Sequence, residues 1–176
     1  NQEDCDVEKP LSQIYELLQK LTGLHRQLMD IVRAEREALI QADLPNIQKI
    51  TVSKQAILSE IHQAESARLK LTGELAVLWK KPFRELTLSN MIIAIQGDDP
   101  KTAEQLRSLY NALTILTQRI TAQNEENRQL VERSLQHINQ MKKNILGEAS
   151  QRSNTYTPQG QRVSGSQSSR LLSKEA

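Results

Sequence analysis

The sequence has few of the residues that fill compact cores or form covalent crosslinks. Its 176 residues include five aromatics (one Trp, three Tyr and one Phe) and one cysteine. So few aromatics provide little bulk for a compact globule, and we expect a thin core built from Leu and Ile. A single cysteine excludes an internal disulfide, which fits a reducing compartment.

Long apolar runs and a strong net charge are missing too. No uninterrupted apolar stretch approaches the roughly 20 residues of a membrane span, and the acidic opening NQEDCDVE does not resemble a signal peptide. Lys and Arg number 23 against 21 acidic residues, and the whole excess lies after residue 146. With nearly equal numbers of basic and acidic residues, the protein has no strong electrostatic field that would attract nucleic acid or a membrane surface. These features predict a cytoplasmic protein that is not inserted in a membrane.

The usual catalytic signatures are also missing. The sequence has no glycine-rich phosphate loop, GxSxG elbow, CxxC pair or HExxH motif. Thr22, Ser59 and Ser134 stand three positions before the histidines, so the Glu-x-x-His pattern of di-metal bundles is absent. We therefore expect no enzyme, no catalytic residue, no metal and no cofactor.

Apolar residues at helical spacing are abundant. One stripe from Leu11 to Leu39 predicts a helix over about 11–42, and another from Ile47 to Leu78 predicts a helix over about 45–81. Asp43 should cap the second helix, and residues 1–10 should form a flexible extension. Because the connection is short, the two helices should lie antiparallel, pairing positions whose numbers sum to about 89.

This register brings together the charged members of the two apolar stripes, Glu35 and Lys54. One interpretation is an ion pair that fixes the register of the hairpin. The alternative is that both side chains extend to solvent.

Two further helices are predicted after Pro82. A short docked helix over about 88–96 should begin after Thr87 and end at Gly97, and a long helix over about 100–146 should begin after Asp99 and end at Gly147. Asn124 and Asn127 interrupt the apolar stripe of the long helix. The fold class is therefore all-α: an elongated antiparallel helical hairpin, or coiled-coil-like bundle, with a third long helix. The polar segment 147–176 should be a disordered tail.

The long helix should be longer than the hairpin. At about 1.5 Å per residue it would extend about 70 Å, against roughly 45–55 Å for each hairpin arm, so the apolar contact should be used up near residue 135. An apolar stripe without an internal partner is typical of a binding surface for another protein. The alternatives are that residues 83–99 cover this stripe or that two copies pair through it. The candidate binding residues are Leu130, Val131, Leu135, Ile138, Met141, Ile145 and Leu146.

Several short motifs, in this order, resemble the FlgN family of flagellar export chaperones. They are ERxAL at 35–39, Asp43, Lys54 followed by ILxxI, Glu65 with Arg68, TLSNMI at 87–92, NxxN at 124–127, SLxxI at 134–138 and TYxxxG at 155–160. The resemblance covers roughly residues 11–160. The acidic N-terminal extension and the polar tail after Gly160 depart from it.

The resemblance implies a cytoplasmic chaperone that binds the C-terminal helical regions of hook-associated (hook–filament junction) proteins. It would keep them unassembled and deliver them to the flagellar type III export gate. The resemblance also places Tyr156 where the family's tyrosine docks on the cytoplasmic domain of the membrane-embedded gate protein. The alternatives are that Tyr156 is incidental, and that the protein is a structural coiled coil that self-associates without a chaperone role.

Overall fold

The computed structural model describes the backbone of residues 2–153 and the side chains of residues 8–150, and its regular elements over that range are all helical. In chain order they are α1 (Gln2–Ile40), α2 (Leu44–Leu78), a 3-10 helix (Phe83–Glu85), α3 (Leu88–Ile95) and α4 (Pro100–Ser153). The predicted all-α fold class is confirmed. The chain divides into two units, Asn1–Leu130 and Val131–Ala176.

The residues predicted to start helices do cap them. The side chains of Asp43, Thr87 and Asp99 each accept a hydrogen bond from the backbone N–H three residues later, at 3.2, 3.2 and 3.0 Å. Each cap satisfies one of the N–H groups that have no carbonyl partner in the first turn of a helix. These caps explain why α2, α3 and α4 begin where the sequence indicates.

Other helix ends differ from the prediction. α1 begins at Gln2 and passes through Pro10, so residues 2–10 are helical where a flexible extension was expected. A proline removes one backbone donor, and here this loss does not end the helix. α4 likewise continues through Gly147 to Ser153. A glycine ends a helix when it adopts the left-handed conformation, and the backbone of Gly147 remains helical.

α1 and α2 form an antiparallel hairpin in the predicted register. Val32 packs with Ile57 in one hydrophobic cluster, and Ile14 packs with Leu75 in another. The turn between the helices places Ala42 at φ 53°, a left-handed backbone conformation that closes the end of α1. A direct hydrogen bond between Lys54 and Glu35, whose numbers also sum to 89, agrees with this register.

The hydrophobic core of the first unit has two parts. The smaller cluster combines Leu28, Met29 and Val32 of α1 with Ile120 of α4. The larger one includes residues from all four α-helices, so α3 is docked as expected and its apolar face is buried there. The buried members of the larger cluster are Ile14, Leu18, Leu21, Leu24, Ala64, Leu75, Ala76, Leu86, Met91, Ile92, Ile95, Ala103 and Leu106.

Candidate functional site

A polar network joins α4 to the hairpin. The Lys54 ammonium donates hydrogen bonds to Glu35 Oε2 at 2.8 Å and to Asn124 Oδ1 at 2.9 Å. Asn127 Nδ2 donates to the same Glu35 oxygen at 2.8 Å and to the Val32 carbonyl at 2.9 Å. The ion pair anticipated from the hairpin register and the two asparagines that interrupt the α4 stripe therefore meet at one place.

Both charged side chains of this network are largely withdrawn from water. The Lys54 and Glu35 side chains are 22% and 17% exposed, and Asn127 is 4% exposed. Breaking a partly buried ion pair leaves the remaining charge poorly solvated, so each member depends on the others. A polar group at a buried helix position also restricts how helices align, because a shift would leave it without a partner. The role of the pair in fixing the register remains our prediction.

This network marks the end of the packed part of α4. Buried α4 side chains occur at Ala103, Leu106, Ile120 and Asn127, whereas Leu130 is half-buried. The packed part therefore ends a few residues earlier than residue 135, which is the end that the helix lengths predict. Asn127 lies opposite Glu35, which is only five residues from the end of α1 at Ile40, so about 7 Å of that helix remains beyond the contact.

The next four turns of α4 carry an exposed apolar stripe. Every described side chain from residue 131 to residue 150 is exposed. The apolar residues recur at spacings of three and four, which places them along one face of the helix. We call these six residues the C-terminal stripe: Val131 (40% exposed), Leu135 (55%), Ile138 (47%), Met141 (50%), Ile145 (62%) and Leu146 (69%).

The segment 83–99, considered as a cover for this stripe, contributes α3 to the larger core cluster. The apolar face of α3 is already used, because Met91, Ile92 and Ile95 are buried in the larger core cluster.

The C-terminal stripe is about 22 Å long, which matches four turns of a second helix. Its flanks carry Glu132, Arg133, Lys142 and Lys143, the mixed polar border expected around an apolar binding surface.

The other residues assigned a role from the sequence have separate outcomes. Leu130 belongs to the first unit and is only half-buried. Tyr156 lies outside the described residues, as does most of the predicted tail, so its docking role remains a proposal. Among the residues that the structure describes, no three His, Cys, Asp or Glu side chains are grouped so as to hold a metal ion. Within the same part of the chain, no helix is both long and apolar enough to cross a membrane.

Sequence reasoning missed two features. It treated the Glu35–Lys54 pair and the asparagines of α4 separately, although polar residues that interrupt two apolar stripes were a signal that they needed partners. It also missed a groove that residues of α1, α2, α4 and the 83–88 segment line together. No spacing within one helix could indicate that groove, because its walls come from four parts of the chain.

Comparison with known proteins gives a family match over most of the chain. Residues 11–164 match the family model described as FlgN protein. The Bacillus subtilis (strain 168) protein YvyG, described as uncharacterized, is 31% identical over 125 residues, which cover 71% of this chain and 74% of that protein. No solved structure gives a significant match.

Proposed function

This chain belongs to the FlgN family, a family of flagellar export chaperones, and we propose that it is a cytoplasmic chaperone of the hook-associated proteins. It would bind their C-terminal helical regions, prevent premature assembly and deliver them to the flagellar type III export gate. The observation that supports this role best is the C-terminal stripe, an exposed apolar face on a continuous helix.

The stripe is suited to a helical partner. An amphipathic helix can place its own apolar face against positions spaced three and four apart, which is the arrangement of Val131, Leu135 and Ile138. Covering this face removes apolar surface from water on both proteins, so binding needs no nucleotide to drive it. A bound partner would also have its own assembly surface occupied until it is released.

The first experiment tests the stripe. The protein is mixed at micromolar concentrations with the C-terminal region of a hook-associated protein, and the mass of the products is measured by gel filtration with light scattering. We expect a stable complex that Leu135→Asp plus Ile138→Asp abolishes. The matched control is Gln136→Asp plus Asn139→Asp, which adds the same charges at the same spacing to exposed polar positions of the same helix and should leave the complex intact.

Two results would contradict the proposal. One is the absence of any complex. The other is a concentration-independent dimer of the protein that persists in Leu135→Asp plus Ile138→Asp, since the stripe would then not be the partner surface. A dimer that this double substitution dissociates, with no binding of the hook-associated region, would instead support the self-associating structural protein.

A second experiment tests the division of roles between the stripe and Tyr156. We expect Tyr156→Ala to leave binding of the hook-associated region intact and to weaken binding to the cytoplasmic domain of the export-gate protein, while Tyr156→Phe retains the aromatic ring. Both affinities are measured by calorimetry on the same preparations. Equal loss of both, or loss of neither, would refute the proposed role of Tyr156.

A further inference from the structure

An apolar cavity lies within the first unit, and the α4 residues that line it precede the polar network in the sequence. Its volume is about 630 Å³. Its apolar walls come from the hairpin, the 83–88 segment and α4. They are Leu18, Leu21, Ile61, Leu69, Phe83, Leu86, Leu88, Tyr110 and Leu113.

The cavity opens to solvent through apolar side chains. Leu69, Phe83 and Tyr110 are 42%, 50% and 39% exposed, whereas Leu18 and Leu21 at its base are buried. Apolar side chains that line an open concavity, and that stay in contact with water, would gain stability from an apolar occupant.

The cavity continues along α4. A second concavity is lined by α4 residues from Tyr110 to Glu125, and the two share Tyr110, Leu113 and Thr117. The shared residues join the cavity to this open face of α4, and we call the combined surface the groove; it follows α4 for about 22 Å, or four helical turns. A small molecule would leave most of such a groove empty, whereas a helix of about 15 residues would fill its length.

Most of the charged side chains that line the groove have an ion-pair partner. Arg68 is paired with Glu65 on its own helix, and Glu125 accepts hydrogen bonds from Arg128. Within the described part of the chain, Arg84 lines the cavity without an ion-pair partner. A carboxylate on the occupant would complete this site, since a guanidinium binds a carboxylate through two parallel hydrogen bonds.

We propose that this groove binds an amphipathic helix of a partner protein that carries an acidic residue opposite Arg84. The two C-terminal segments of this chain, from the same or from a second copy, match the groove less well. Residues 131–150 carry three basic and two acidic residues, and residues 154–176 carry three basic and one acidic residue. Both bring excess positive charge to a groove whose unmatched charge is already positive.

The test uses two synthetic peptides of 18 residues, each labelled with fluorescein. Both have leucines at helical spacing along one face. One carries glutamates beside that face, and the other carries lysines at the same positions. Binding to the full chain is measured by fluorescence anisotropy. We expect the glutamate peptide to bind about tenfold more tightly than the lysine peptide, and Arg84→Glu to reverse this preference.

The variants separate the groove from the C-terminal stripe. Phe83→Asp should remove binding of the glutamate peptide, whereas Val77→Asp, at a side chain that is 77% exposed and outside the groove, should not. The same measurements are repeated in Leu135→Asp plus Ile138→Asp, where the dependence of peptide binding on Phe83 and Arg84 should persist, so failure of this proposal is distinguishable from failure of the proposed function. Circular dichroism checks that each variant is folded, and Arg84→Glu at an exposed position provides a second test if Phe83→Asp is not.

Three results would overturn the proposal. The first is no measurable binding of either peptide at concentrations up to about 100 µM, a weak-affinity limit. The second is binding that Arg84→Glu does not alter or that the stripe double substitution removes. The third is a homodimer, detected by light scattering, that Phe83→Asp dissociates, because a second copy would then fill the groove.

Discussion

Helix α4 has the same apolar spacing before and after Leu130, yet the two stretches differ in what surrounds them. Leu106 in the first stretch is 0% exposed, whereas Leu146 in the second is 69% exposed. The spacing in both predicts an amphipathic helix, and both are helical. The difference teaches that periodicity identifies the apolar face of a helix, while burial depends on whether other elements reach that face.

The polar network gives this difference a physical boundary. Asn127 is the last buried side chain among those of α4 that the structure describes, and its amide contacts both the backbone and the Glu35 carboxylate of α1. An asparagine buried at this position favours one alignment of α4 over alignments that would leave its amide without a partner. The described side chains from residue 131 to residue 150 are exposed, and we propose that they bind a different protein.

The largest expected effect contrasts one leucine from each stretch. Leu106→Ala should lower the free energy of unfolding by about 3 kcal/mol, because it removes a fully buried side chain and leaves a cavity. Leu135→Ala, at an exposed position of the same helix, should change it by less than about 0.5 kcal/mol. Urea unfolding followed by circular dichroism measures both. Equal losses would mean that Leu135 is buried in solution, and the comparison would fail.

The next effect concerns the boundary itself. Lys54→Ala should destabilise the protein by about 1–3 kcal/mol, since it leaves the Glu35 carboxylate without its cation in a partly buried site. Lys143→Ala, which removes the same side chain from an exposed position, is the matched control and should have little effect. The readout is the melting temperature. If the two variants melt together, the Glu35–Lys54 pair is solvated and does not fix the register.

Much of the first unit could be predicted from the sequence because its signals are local. Asp43, Thr87 and Asp99 are followed by helices that need a cap, and the short connection at 41–43 dictates an antiparallel hairpin. Helix ends were less predictable: Pro10 and Gly147 are common at helix ends, but both lie within helices here. Each of them lowers helix stability without forcing the chain out of the helix.

The candidate sites divide in the same way. The C-terminal stripe was predictable, because its residues are close in sequence and an estimate of helix lengths indicated an excess of apolar surface. The groove beside Arg84 was not, since Leu21, Leu69 and Tyr110 come together only after the helices have packed. Helix packing angles and the placement of the 83–88 segment decide that geometry, and neither is encoded in a local pattern.

A smaller effect tests whether the exposed stretch is held only by its own helix. Gly147→Ala should stabilise α4 locally by about 0.5–1 kcal/mol, because alanine has the higher helix propensity and the added methyl group meets no atom within 4 Å. Hydrogen exchange should slow for backbone amides near residue 147, while the urea midpoint of the whole protein stays unchanged. A shift of that midpoint would show that the stretch unfolds together with the first unit.

The smallest effect examines an ion pair beside the groove. Arg68 donates a 2.9 Å hydrogen bond to Glu65 and holds the pKa of that carboxyl below its ordinary value. The resulting stabilisation is present above the pKa of unfolded glutamate, about 4.3, and is lost as pH falls through the lower folded pKa. Because the Glu65 side chain is 41% exposed, solvent screening limits the effect to about 0.5 kcal/mol.

Urea unfolding tests this contribution. The Glu65→Gln variant should be slightly less stable than the unaltered protein at pH 7 and equal to it near pH 3. Glu60→Gln, an exposed glutamate on the same helix, controls for the lost charge. A difference that persists at pH 3 would assign the loss at Glu65 to packing, and the ionic contribution beside the groove would be disproved.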